Sequence, residues 1–500
     1  MVHHQNIHVL MTTLALQGHL NPMLKFAKIL VTKGIHVTIA TTELARHNIL
    51  KHTTTAPATN DDADADADAD ATMPSIKLEF FSDGLDLDFD RHSNYDYWVE
   101  TLETEGRKNL SNLVAKLSQR TKFSCLIVHQ FVPWFIPVAK ENNLPCVALW
   151  IQPCALYSIY YHFFNKLNDF AILQNSNETL QLPGMPLLNF DDIPTFIFPN
   201  AHLAIQKVLS DFFAFLGDVK WVLGASFYEL EEEVVESIRG VVQPMVYPIG
   251  PLVSPFLFGK EEEEEKEERD FGLSVDMWEA DDSCLQWLDG QDLGSVVYVS
   301  FGSVVVLSQE QMDNVANGLL MSGKPFLWVF KRPSSEKEST DGTIRLPDGF
   351  LEAAGRRGMV VNWCSQEKVL KHKAVGYFMT HCGWNSTLET VVAGVPVIAF
   401  PEWADQPTNA RLLTDVFKMG VRIRKGDEGI VSSKEVKRCI WEMTDGPKAK
   451  AMAKRAVELM EAGKRAVEDG GSSHRNLDLF IADIVGKKDT TKVHANLEIA

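Results

Sequence analysis

IHVLMTTLALQGHLNPMLKFAKILVTKGIHVTIAT, residues 7–41, reads as a strand, a helix and a second strand. Ile7 to Thr13 is a short apolar run, as expected of a strand covered on both faces. A loop through Gln17 and Gly18 opens a helical pattern with Leu20, Leu24, Ala27 and Leu30 on one side, and Gly34 ends it. Ile35 to Thr41 is the next strand. A helix between two strands returns the chain to the same end of the sheet, so the strands run parallel. Further strand runs follow at Cys125 to Gln130, Cys146 to Trp150 and Trp221 to Ser226. From Tyr247 to Pro255 the texture changes to Pro and Gly, and an acidic run from Lys260 to Asp270 follows. The alternation then restarts with Val296 to Gly302, Phe326 to Phe330, Gly358 to Trp363, Val375 to His381 and Pro396 to Pro401.

The fold class expected is α/β, with two Rossmann-like doubly wound domains, residues 1–250 and 279–470, facing across a cleft. Residues 251–278 are read as the linker, 60–74 as a flexible acidic insertion and 488–500 as a disordered tail. Residues 471–487 are expected to form a helix packing back on the first domain, with Ser472 or Ser473 as its N-cap. Ligands of such sheets bind beyond the carboxyl ends of the strands.

With 45% hydrophobic residues, 11 Trp and 28 Phe, 500 residues can build two cores and still line an apolar pocket. Much of the net charge of −19 sits in two low-complexity acidic runs, Asp61 to Asp70 and Lys260 to Asp270, which self-repel and stay solvated. That balance argues against a nucleic-acid surface, which needs clustered Lys and Arg. Seven cysteines without a CxxC pair indicate a reducing compartment, no disulfide framework and no zinc site. No basic n-region precedes an apolar core, and no apolar run reaches the length of a membrane span. A cytoplasmic enzyme, monomeric and not inserted in a membrane, is the expectation.

The strongest local signal is VGYFMTHCGWNSTLETVVAGVPVIAFPEWADQ, from Val375 to Gln406. A strand ends at His381, a turn follows, and a helix begins near Asn385 and runs past Glu389. The unpaired N–H groups of such a helix start attract an anion, and His381 and Ser386 add donors at the same place. The bare turn also reads as an ordinary capped helix. Extended back to Trp363, the 44 residues from WCSQ to WADQ resemble the signature box of plant family-1 UDP-glycosyltransferases. Ordered matches continue outside it, with GHLNP from Gly18, PGMPLLNFDDIPTF from Pro183, FYELE from Phe227, YPIGPL from Tyr247, YVSFGSV from Tyr298 and GGSSHRNL from Gly470.

The resemblance implies the GT-B fold, UDP-glucose as donor co-substrate, no further cofactor and no metal. It also implies a small hydrophobic acceptor: a phenolic, flavonoid, terpenoid or carboxylic acid. Position by position, it implies that Trp363 stacks on uracil, Cys364 holds uracil through its backbone, and Gln366 and Glu389 bind ribose hydroxyls. His381, Asn385, Ser386 and Ser303 would surround the phosphates, with Trp384 contributing backbone. Asp405 and Gln406 would read the sugar hydroxyls, and a final Gln suggests glucose. Plainer readings stay open: Trp363 as core packing and Glu389 as a solvated helix-surface acid.

The resemblance puts the catalytic base at His19, in QGHLNP. The dipole at a helix start disfavours imidazolium and keeps a neutral ring available as a base. Configuration at the anomeric carbon would invert. Many members of the family place an Asp after the third strand, hydrogen-bonded to this His; here the aligned position is His129. Related members lacking the carboxylate often make glucose esters. His129 is open to three readings: a substitute partner for His19, an acceptor-binding group, or only a strand-end residue. Phe131, Trp134, Trp150, Tyr157, Phe190 and Phe196 are candidate acceptor-pocket aromatics, each equally readable as core.

Three other readings compete. A metal-dependent transferase would use a DxD string, present in DLDFD (Asp86 to Asp90) and in the Asp-Ala repeat, but neither ends an apolar strand. A dinucleotide oxidoreductase would carry GxGxxG where this chain has LALQGHLNP. A UDP-sugar-binding homologue with little or no activity is the third.

Overall fold

The computed structural model describes residues 7–52, 74–91, 93–174, 178–198, 203–260, 281–303, 305–330, 345–426 and 428–486. Two sheets form its frame. The first contains β1 (His8–Thr12), β2 (His36–Thr42), β3 (Ile76–Phe81), β4 (Phe123–His129), β5 (Cys146–Trp150), β6 (Val219–Gly224) and β7 (Val246–Pro248). The second contains β8 (Val296–Ser300), β9 (Phe326–Val329), β10 (Gly358–Val361), β11 (Val375–Thr380), β12 (Val397–Ala399) and β13 (Gly420–Arg422). Their orders are β3-β2-β1-β4-β5-β6-β7 and β10-β9-β8-β11-β12-β13. Neighbouring strands pair in parallel throughout both sheets. This is the two-sheet α/β architecture that the GT-B resemblance implied.

Every strand run read from the sequence falls on an observed strand. β3, β7 and β13 were not among them, and each lies at or next to a sheet edge. β3 carries Lys77 and Glu79 and is only partly covered, while β7 and β13 have three residues each, too few to show a period. The helix Gln17–Thr32 buries Leu20, Leu24, Ala27 and Leu30 together with Met23 and Phe26. It ends in a Schellman turn: Ile35 N–H donates to the Leu30 carbonyl (3.1 Å) and Gly34 N–H to that of Val31 (2.9 Å). Gly34 has φ +85°, which explains the glycine.

Strand order reverses between β1 and β4 in one sheet and between β8 and β11 in the other. A crevice opens at such a reversal, beyond the carboxyl ends of the strands. His19 follows β1, His129 ends β4, Ser303 follows β8 and His381 follows β11. Both crevices are therefore furnished by residues singled out from the sequence.

The C-terminal helix, Ser472–Ile484, lies against the first sheet. Asn476 Nδ2 donates to the Pro248 carbonyl (2.7 Å) and Trp221 Nε1 to Asp483 (2.8 Å). Its N-cap is Gly471, not Ser472 or Ser473 as expected. The hydroxyl of Ser472 donates to Glu229 (2.8 Å) and that of Ser473 to the Gly250 carbonyl, so both serines tie the helix to the first half. A second tie runs through Asp192, which is 1% exposed and meets Arg422 (2.5 Å) and Arg411 (3.7 Å). The expected insertion apart from Pro74, the acidic runs apart from Lys260, most of the expected linker and the tail 488–500 lie outside the described residues. No described helix is long and apolar enough to cross a membrane, and all seven cysteines are buried.

Candidate active site

A cavity of about 1170 Å³ lies between the two sheets and is lined from both halves. On the C-terminal side it meets the turn after β11. Cys382 there has φ +65°, a conformation a non-glycine residue adopts only when its surroundings impose it. The helix Trp384–Ala393 follows, and its N-cap Gly383 supplies no side chain, so no side-chain cap occupies the leading amides. The His381 ring sits between two glycines: a Cβ on Gly302 (φ +76°) would lie 2.7 Å from it, and one on Gly383 2.5 Å. Burial pushes the His381 pKa down to about 4, with the Ser300 backbone acting the other way, so the ring is neutral at pH 7.

Gln366 and Glu389 face each other beneath this turn. Gln366 Nε2 donates to Glu389 Oε2 (2.7 Å) and Ser386 Oγ (2.9 Å). Glu389 is 8% exposed, not a solvated helix-surface acid, and Lys25 of the opposite half donates to its Oε1 (3.0 Å). Trp363 is half-buried and lines the cavity. The Cys364 thiol lies 3.7 Å from the Tyr298 hydroxyl, in the core. Trp384 is packed inside, 3% exposed.

Asp405, Gln406 and Ser303 also line the cavity. Burial pushes the Asp405 pKa up to about 6, opposed by hydrogen bonds that include Asn409 Nδ2 (2.7 Å) and the Gln152 side chain. Gln406 Oε1 already accepts from the N–H groups of Glu402 (2.9 Å) and Trp403 (3.2 Å). Its amide N–H groups are what it can offer a ligand.

His19 faces this assembly from the first turn of the Gln17–Thr32 helix. Its ring stacks on Phe131 (centroids 4.7 Å apart, planes 2° apart) and meets the His129 ring edge-on at 4.9 Å. Burial lowers its pKa to about 4, and its Nδ1 is buried with no hydrogen-bond partner. The motif's proline sets the approach of the two halves. Pro22 has no N–H to give the Gly18 carbonyl, and Asn385 Nδ2 donates to that carbonyl instead, at 3.2 Å. A helical bond missing in one half is thus completed from the helix start of the other.

His129 is fully buried and outside the cavity lining. The N–H of Phe131 donates to its Nδ1 (3.2 Å), so that nitrogen is unprotonated and Nε2–H donates to Thr13 Oγ1 (3.3 Å). Both ring nitrogens are engaged away from His19. Of the three readings of His129, the first two, substitute partner of catalytic His19 and acceptor-binding group, find no contact here: it neither hydrogen-bonds His19 nor lines the cavity.

Residues 281–458 match the family described as UDP-glucoronosyl and UDP-glucosyl transferase. UDP-glycosyltransferase 84B2 of Arabidopsis thaliana is 44% identical over 475 residues, covering 95% of this chain and 99% of that protein. The chain belongs to the plant family-1 UDP-glycosyltransferases. Gallate 1-beta-glucosyltransferase of Quercus robur is 38% identical, with 96% and 90% of the two chains covered. Among solved structures, Os79 from O. sativa in complex with UDP superposes with a TM-score of 0.79 at 29% identity, covering 95% of this chain and 100% of that one.

In this UDP-glycosyltransferase only two of the six candidate pocket aromatics, Phe131 and Phe196, line the cavity. Trp134, Trp150 and Tyr157 belong to the core, at 2%, 0% and 0% exposure. Each has its polar tip satisfied there, Trp134 by Asp211 (3.0 Å), Trp150 by the Pro153 carbonyl (2.9 Å) and Tyr157 by the Pro244 carbonyl (3.1 Å). Phe190 is 47% exposed and stacks on Phe198 away from the cavity. Sequence reading missed Lys25, Gln152 and Trp403, which line the cavity, the last meeting Phe196 edge-on at 5.8 Å. Among the described residues no three His, Cys, Asp or Glu side chains gather as a metal site, and the aspartates of Asp86 to Asp90 are exposed.

Proposed function

We propose that this enzyme transfers glucose from UDP-glucose to the carboxylate of a small aromatic acid, inverting the anomeric centre without a metal ion. The observation that carries the acceptor class is His19: a neutral ring with a pKa of about 4, an Nδ1 without a partner and, among the described residues, no carboxylate bonded to it. So weak a base gives little help to a phenol, whose proton is held to about pH 10. A carboxylic acid reaches the site already ionised. The gallate-glucosylating relative supports the same class.

In the proposed step the acceptor oxygen attacks the anomeric carbon from the His19 side. The bond to the diphosphate oxygen breaks, and its electron pair leaves with UDP. The leaving charge is met by the amides that open the Trp384–Ala393 helix and by His381, Ser386 and Ser303. Trp363 covers uracil, Gln366 and Glu389 take the ribose, and Asp405 with Gln406 takes the sugar hydroxyls. Phe131, Phe196 and Trp403 give the acceptor flat apolar walls.

A panel of phenols, flavonols and aromatic acids offered with UDP-glucose tests this reading. Acids should be turned over fastest, giving products that mild base hydrolyses. Turnover confined to neutral hydroxyls refutes the acceptor class. UDP release no faster with any acceptor than without one would favour a binding protein.

A further inference from the structure

Lys25 belongs to the half opposite the nucleotide box, yet its ammonium reaches into it. Lys25 Nζ donates to Glu367 Oε1 (2.8 Å) and to Glu389 Oε1 (3.0 Å). The backbone N–H of Ser254, in the segment leaving β7, donates to the same Glu367 oxygen (3.3 Å). Four stretches of chain thus meet at one point: the Gln17–Thr32 helix, the Ser254 segment, and the helices Gln366–Lys371 and Trp384–Ala393. The side chains are mostly covered, at 14% for Lys25, 17% for Glu367 and 10% for Glu389.

One cation therefore serves two carboxylates in a nearly dry place. The Gln366 amide donates to Glu389, and Gln366 in turn meets the Ser386 hydroxyl and the Tyr298 phenol. Removing the cation leaves Glu389 buried beside Glu367 without a countercharge, which disfavours its ionised form. A ribose hydroxyl that donates is held more strongly by the ionised, acceptor-only form of Glu389.

We propose that Lys25, reaching in from the opposite half, is a positioning residue for the donor nucleotide, keeping Glu389 ionised and aimed at the ribose. This rests on the reading of Glu389 as a ribose ligand. The titration behaviour agrees. Burial pushes the Glu389 carboxyl up and Lys25 opposes it, while Glu367 adds to the upward push. Burial acts to lower the Lys25 pKa, but Glu367 and Glu389 outweigh it and hold the ammonium above its ordinary range.

The test measures UDP affinity by calorimetry, with donor KM and kcat, for the wild type, Lys25→Met and Lys25→Arg at acidic and mildly alkaline pH. Lys25→Met should raise the UDP Kd and donor KM by about tenfold at acidic pH, because breaking a buried ion pair strands its partner. The loss should shrink at alkaline pH, where Glu389 re-ionises, and kcat should hold. Lys25→Arg should restore affinity, since a guanidinium can serve two carboxylates. Lys25→Gln, which keeps a donor without the charge, replaces Lys25→Met if that variant does not fold. Wild-type affinity in the uncharged variant at both pH values overturns the proposal. So does an affinity loss that is independent of pH and not rescued by Arg. A wild type that does not bind UDP brings down the ribose reading itself.

Discussion

His129→Asp returns a carboxylate to a position where many relatives carry one, and its effect can be worked from the geometry. The rings of His19 and His129 are 4.9 Å apart. At that distance and an effective dielectric of about 20, opposite unit charges attract by roughly 3 kcal/mol. That corresponds to about two pH units on a neighbouring imidazole. In the wild type His19 is neutral at all pH values above about 4, so the acid limb of kcat/KM should lie near there. In His129→Asp the limb should rise toward about pH 6, because the carboxylate favours imidazolium. The same attraction stabilises the imidazolium that forms as an acceptor hydroxyl loses its proton, so turnover of a neutral phenol should rise by at least about tenfold. Transfer to an aromatic acid should not rise, since the new charge repels an anionic acceptor. The carboxylate would find two donors already in place, the Thr13 hydroxyl and the Phe131 N–H, which limits the cost of burying it. The assay is a pH profile of kcat/KM for one phenol and one benzoic acid in both proteins. An unmoved acid limb together with an unchanged phenol-to-acid ratio would refute His19 as the base.

Three other variants probe separate parts of the site. His19→Ala should lower the already slow transfer to neutral hydroxyls further and leave UDP affinity within about twofold, since the ring touches no nucleotide position in this reading; unchanged phenol turnover would remove His19 from the mechanism. Trp363→Ala should weaken UDP binding by about tenfold or more, the equivalent of the roughly 1–3 kcal/mol of aromatic–base stacking, with kcat little changed at saturating donor; unchanged calorimetric affinity would return Trp363 to simple packing. Asp192→Ala strands Arg422 at the tie between the halves and should cost about 2–3 kcal/mol, below the usual figure for a buried pair because the arginines are partly exposed. A urea midpoint equal to that of the wild type would show that this tie does not hold the halves together.

Two aromatic residues show how far residue type carries. Phe131 and Trp150 both stand at or just past the carboxyl end of a strand in the first sheet. Phe131 stacks on His19 and lines the cavity; Trp150 is packed among Tyr157, Phe212 and Phe213. Nothing in the alternation of apolar residues distinguishes them, because both faces of a parallel sheet are covered. Gln152 shows the same limit for a polar residue. It follows β5 as an ordinary loop amide and acquires meaning only when Asp405 of the other half comes within hydrogen-bonding reach.

The sequence by itself determined ten of the thirteen described strands, their parallel sense and the box from Trp363 to Gln406, because each rests on signals local in the chain. Strand and helix periods repeat within a few residues, and the box folds as one helix–strand–turn–helix–strand passage. Only the tertiary structure decided what happens between the halves. Lys25 reaches Glu389 across 364 positions, Asn385 completes the carbonyl that Pro22 leaves open, and His129 turns both its nitrogens from the catalytic ring. Burial and orientation at such points depend on which distant surface arrives, and no run of neighbouring residues encodes that.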